Sequence, residues 1–121
     1  MPKRNETDPG GLLPLAPAVF HILLCLGEGE RHGYALKREI ALRTKGKLTL
    51  GAGVLYGSIN KMIEQELIEE SDDRPDPHLD DERRRYYRLT PLGRKVAQAE
   101  AARMRELVQL AAAQFGLPQR V

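Results

Sequence analysis

A chain of 121 residues is the length of one domain with a single core, which argues against two independent domains. With 41% apolar and 30% charged residues it is too apolar to stay unfolded throughout, and its lone Cys25 excludes an internal disulfide. The net charge of +2 does not exclude a polyanionic partner, because the charges are segregated: Glu64 to Glu82 holds ten acidic residues and one arginine, whereas Arg83 to Arg88 holds four arginines in six positions.

Residues 1–14 contain turn formers without sustained periodicity and read as a flexible arm, in which Lys3 and Arg4 either touch phosphates or belong to a solvated tail. The first ten residues are polar, unlike a secretory leader, and no apolar run approaches the roughly 18 residues of a membrane span. A cytoplasmic protein without a membrane partner is therefore expected. Leu15, Val19, Ile22, Leu23 and Leu26 draw one apolar stripe and predict a helix from about Ala16 to Leu26, ended by Gly27. A second helix, from about Gly33 to Thr44, turns Leu36 and Ile40 inward and carries Lys37, Arg38, Arg43 and Lys45 outside, with Gly46 as its stop.

The third helix, from about Gly51 to Glu66, has the sharpest pattern. Leu55, Ile59, Met62, Ile63 and Glu66 fall within about 100° of its circumference. Gly53, Gly57, Asn60, Lys61 and Glu64 lie opposite, with Val54 and Tyr56 at the borders. Leu67 to Ser71 and Arg84 to Leu89 read as strands flanking an acidic, proline-interrupted loop at 72–82, which makes a wing. A last helix starts at Thr90 as N-cap with Pro91 in its first turn and runs to about Phe115. Ala97, Ala101, Met104, Val108, Ala111 and Phe115 recur along it at alternating spacings of four and three. So small a chain has little to cover that seam, and a second subunit is the simplest cover.

The expected fold is mainly α with a small β-hairpin: a winged helix-turn-helix over 15–90, a dimerisation helix over 91–117 and a tail at 118–121. In that architecture the third helix enters the major groove of DNA, and the residues nearest base edges lie on the outer face of its N-terminal part. Candidate contacts are Gly53, Val54, Tyr56, Gly57, Asn60 and Lys61. Asn60 has the groups for a bidentate contact to adenine, Lys61 reaches guanine or phosphate, and the two glycines permit close backbone approach or mark a late helix start. Tyr56 donates its hydroxyl to a phosphate while its ring packs at the core margin, or serves the core alone. Lys37 on the second helix and Arg84, Arg85 and Arg88 on the wing are candidate phosphate contacts, with pairing to the nearby acids as the competing use of the arginines.

Three motifs in order, HGYALKREI, GVLYGSINKMIEQELIE and RRRYYRLTPLGRKV, resemble the PadR-like transcriptional regulators over roughly Leu15 to Val96. Where that family typically reads G-T-L-Y-P, Gly53, Leu55 and Tyr56 match, Val54 stands for Thr and Gly57 for Pro, which implies a differently shaped helix start. Tyr87, Leu89, Thr90 and Gly93 match the third motif. The resemblance implies a dimeric repressor, in its shorter form with one C-terminal helix, bound to a pseudo-palindromic operator and released by a hydrophobic small-molecule inducer or another signal.

Enzymatic chemistry has little support. His21, His32 and His78 fall in separate elements, Ser58 and Ser71 have no evident base, and no glycine-rich phosphate loop is present. His21 and Cys25, four apart, are a ligand pair without a third member, and the acidic loop lacks EF-hand order. No metal or cofactor is expected. The rival reading is a winged-helix protein-protein interaction module that does not read DNA.

Overall fold

Proline opens both the first and the last helix, where its missing N–H has no intrahelical partner to lose. The computed structural model describes residues 9–71 and 85–118. Helix α1 spans Pro17–Leu26 and is followed by β1 (Arg31–His32), α2 (Gly33–Arg43) and α3 (Ala52–Glu64). Strands β2 (Ile68–Ser71) and β3 (Tyr86–Leu89) precede the long α4 (Pro91–Phe115). This is the mainly helical winged helix-turn-helix expected from the periodicity. The tip of the wing, the acidic loop at 72–82 and Arg84 lie outside the described residues.

Four expectations need correction. The hairpin is a three-stranded antiparallel sheet, ordered β1-β3-β2, in which Arg31 pairs with Tyr87 and His32 with Tyr86. Two residues carry no alternation signal, so β1 exists only because β3 supplies its ladder. His32 then caps α2, its Nδ1 accepting the Ala35 N–H at 3.1 Å, while its ring meets Tyr86 edge-on at 5.5 Å. Secondly, α3 stops before Glu66, whose φ of 63° turns the backbone left-handed. The Leu67 N–H donates back to the Met62 carbonyl at 2.9 Å, closing the helix, so Glu66 leaves the apolar stripe and is exposed.

Thirdly, the segment from Pro9 onward packs against the domain. Pro9–Leu12 forms a 3-10 turn against α4, and Leu12 and Leu13 pack on the core. The Leu15 N–H donates to Glu100 Oε2 at 3.0 Å, and Arg103 holds the same carboxylate with bonds of 2.6 and 3.1 Å. Glu100 is 0% exposed. The Arg103 hydrogen bonds outweigh desolvation and keep its carboxyl below the usual range. Fourthly, Arg43 is not part of a free basic surface. It bonds Glu28 at 2.7 Å and Glu39 at 2.8 Å, and Arg31 bonds Glu39 at 2.9 Å. Burial pushes the Glu39 carboxyl up, but the two arginines more than reverse it.

One core joins the layers: Ile22 and Leu26 of α1, Leu36 and Ile40 of α2, Leu55, Ile59 and Met62 of α3, Tyr87 of β3 and Val96 of α4. Cys25 is buried among them, and desolvation pushes its thiol up to about 11. Thr90 locks α4 to the sheet. Its N–H donates to the Leu67 carbonyl at 3.1 Å, its hydroxyl to the Glu66 carbonyl at 2.7 Å, and its Oγ accepts the Gly93 N–H at 2.9 Å. A Cβ built on Gly93 collides with the Leu67 carbonyl oxygen, so the close approach needs glycine. Past Glu100, α4 runs beyond the core with Met104, Leu107, Val108, Leu110 and Phe115 exposed.

Candidate nucleic-acid interface

Residues 44–51 connect α2 to α3 and fix how α3 is presented. Thr44 organises them: its hydroxyl donates to the Ile40 carbonyl at 2.9 Å and accepts the Leu48 N–H at 3.0 Å. Leu50 is buried, which anchors the far end, while Lys45 and Lys47 remain in solvent. Helix α3 then opens from Gly51, an N-cap without a side-chain hydrogen bond, and has no acid in its first turn. The unpartnered N–H groups and positive dipole end of a helix favour an anion such as a phosphate.

The outer face of α3 is open. Gly53, Val54, Gly57, Asn60 and Lys61 are all exposed, and a Cβ built on Gly53 or Gly57 meets nothing within 4 Å. Packing among the described residues therefore does not require either glycine, in contrast to Gly93. Tyr56 is placed differently. It is half-buried against α2, where a Cβ on Gly33 would lie 2.6 Å from its phenolic oxygen. Gly33 and Tyr56 thus set the α2–α3 spacing, with the tyrosine ring packed at the margin of the core.

Lys37 and Arg38 of α2, Lys45 and Lys47 of the connection and Lys61 of α3 form no ion pair among the described residues. Lys47 is absent from the sequence-derived set because it sits in the connection, where helical periodicity gives no signal. The wing arginines are engaged: Arg85 with Glu70 at 3.3 Å, and Arg88 with Glu69 at 2.8 Å and Glu30 at 3.9 Å. Charge pairing is therefore their arrangement without DNA, and their partners come largely from β2. Such exposed pairs contribute about 0–1 kcal/mol, so exchange of a glutamate for a phosphate is inexpensive.

Beside the same face, Leu12, Leu15, Val19, Val54, Lys61 and Met62 help to line a cleft of about 470 Å³. A smaller one of about 220 Å³ lies between α1 and α4, at Phe20, Leu24, Ala97 and Ala101. Among the described residues no group of three His, Cys, Asp or Glu is placed to hold a metal, and no helix is long and apolar enough to cross a membrane.

The family model described as "Transcriptional regulator PadR-like family" matches residues 22–99. An uncharacterized 37.1 kDa protein in transposon TN4556 of Streptomyces fradiae is 30% identical over 90 residues, 74% of this chain; the match spans 24% of that longer protein. A transcriptional regulator from Clostridium thermocellum has a similar structure, with a TM-score of 0.63 and 25% identity over 81% of this chain and 88% of that one. A PadR family transcription regulator from Clostridium difficile shares the fold at a TM-score of 0.67, with 20% identity over 84% of this chain and 100% of that one. The family match covers most of the chain and includes α2, α3, the wing strands and the start of α4, so the chain belongs to the PadR-like family of transcriptional regulators.

Proposed function

We propose that the chain is a homodimeric, cytoplasmic repressor that binds a pseudo-palindromic operator, with α3 of each protomer in the major groove, and that a small molecule or other signal releases it. The observation that carries this reading is the open face of α3, with Gly53, Val54, Gly57, Asn60 and Lys61 exposed and unpaired lysines beside it. A major groove about 12 Å wide admits one helix, and recognition helices of a dimer sit about one DNA turn apart. Lys37, Arg38, Lys45 and Lys47 meet phosphates beside the groove, as do Arg85 and Arg88 of the wing and Arg84, their neighbour in sequence. The acidic wing loop would be repelled by phosphate, which assigns the contact to the base of the wing and not to its tip.

The apolar end of α4 supports the dimer: Val108 is 50% exposed and Phe115 82%, and a second copy covers them by the same seam. An effector has the cleft beside α3 or the one between α1 and α4 to enter, and both are lined mainly by aliphatic side chains.

Titration of labelled duplex DNA by fluorescence anisotropy at several salt concentrations tests the reading. Log K is expected to fall linearly with log salt, by about 0.9 for each phosphate neutralised. No binding at low salt, or binding without a salt slope, would overturn it and leave the protein-interaction module.

A further inference from the structure

We infer that Val54 is a specificity residue that reads the 5-methyl group of one thymine in each operator half-site. The inference rests on the placement of α3 in the major groove proposed above. Val54 is 57% exposed, and it is the only large apolar side chain of α3 left in solvent. The inward positions of the helix are taken by Leu55, Ile59 and Met62, all buried, so Val54 has no part in the core. It lies in the first turn of α3, the part of a recognition helix nearest the base edges. An isopropyl group has no hydrogen bond to offer. In the major groove the one apolar feature that distinguishes base pairs is the thymine methyl.

Reach decides whether a side chain so short can make that contact. Valine extends only one methyl carbon beyond its branched Cβ, so the backbone of α3 has to lie close to the floor of the groove. Gly53 and Gly57 flank Val54 on the outer face, where all three line the cleft bordered by Leu12, Leu15 and Val19, and a Cβ built on either glycine meets no described atom within 4 Å. The two glycines and the valine therefore form one device, in which absent side chains let a short one touch. Asn60 and Lys61, further along the helix, add polar contacts that do not depend on the methyl.

The test starts from duplexes selected by the full chain out of a random pool, and replaces each thymine singly by deoxyuridine, which deletes only the methyl. At one thymine per half-site the wild type is expected to lose about four-fold in affinity, the effect of exposing one methyl-sized group. Val54→Ala should bind thymine and uracil duplexes equally at that position, with its thermal unfolding close to wild type because the removed methyls are largely in solvent. Gly57→Leu, which holds the helix off the groove, should lose the same discrimination. The inference is overturned if no replacement costs the wild type more than about 1.5-fold, if the loss persists in Val54→Ala, or if selected half-sites share no thymine. A chain that binds no duplex at low salt would instead remove the DNA reading itself.

Discussion

Gly57→Ala separates what the fold wants from what the interface wants. Glycine inside a helix is about 1 kcal/mol less favourable than alanine, and the new Cβ meets no atom of the described residues within 4 Å, so none of them offsets the gain. A stabilisation of about 1 kcal/mol corresponds to a rise of roughly 4 °C in melting temperature for a domain of this size. On DNA the sign reverses. An added methyl in a closely packed contact costs about 1–3 kcal/mol, or about 5- to 150-fold in affinity. Differential scanning calorimetry and anisotropy on the selected operator measure the two effects on the same preparation. Because the added group is uncharged, the affinity loss should be similar at every salt concentration. A lowered melting temperature would show that the fold itself uses the glycine, and unchanged affinity would refute close approach of α3 to the groove.

Replacing Met104 and Val108 by Asp should give monomers in light scattering and weaken operator binding severely, and a variant that stays dimeric refutes the α4 seam. Glu100→Ala strips the Leu15 N–H and the Arg103 guanidinium of their shared acceptor and should destabilise by on the order of 3 kcal/mol in urea unfolding. The folded carboxyl of Glu100 is depressed, so its contribution is complete above the usual carboxylate pKa and is lost as pH falls through the folded value. Glu100→Gln should flatten that part of the pH dependence, and an unchanged acid limb would refute the assignment. Gly93→Ala drives a methyl into the Leu67 carbonyl and should cost about 1–3 kcal/mol, read as a fall in urea midpoint at constant m-value. Cys25, fully buried with its thiol pushed up to about 11, should resist a thiol reagent at pH 8 until the chain is unfolded; rapid labelling of the native protein would contradict its burial.

The sequence made the helices legible because each has a local cause: the stripe of α3, proline at the starts of α1 and α4, and Thr90 as N-cap with its Gly93 N–H. What escaped was set by distant partners. Arg31 and His32 look like a connection until Tyr86 and Tyr87 pair with them. Arg43 counts as a surface cation on a helical wheel, which cannot display Glu28 arriving from the preceding turn. Glu100 gives no sign that a backbone N–H 85 residues earlier needs its carboxylate. At the interface, the α3 face followed from periodicity, but the division between Tyr56, turned toward Gly33, and Val54, turned to solvent, required the position of α2.

The two fastenings of α4 have a mechanical consequence. Gly93 seats its first turn against Leu67, just past the end of α3, and Glu100 ties it to Leu15, just before α1. Seven residues of helix separate these points by about 10 Å. A rod pinned once can swivel, whereas one pinned twice transmits torque. Any rotation of α4 imposed at its far end therefore turns the helices and sheet it is pinned to as one body, and in the proposed dimer the angle between the two copies would be the quantity that a releasing signal has to change.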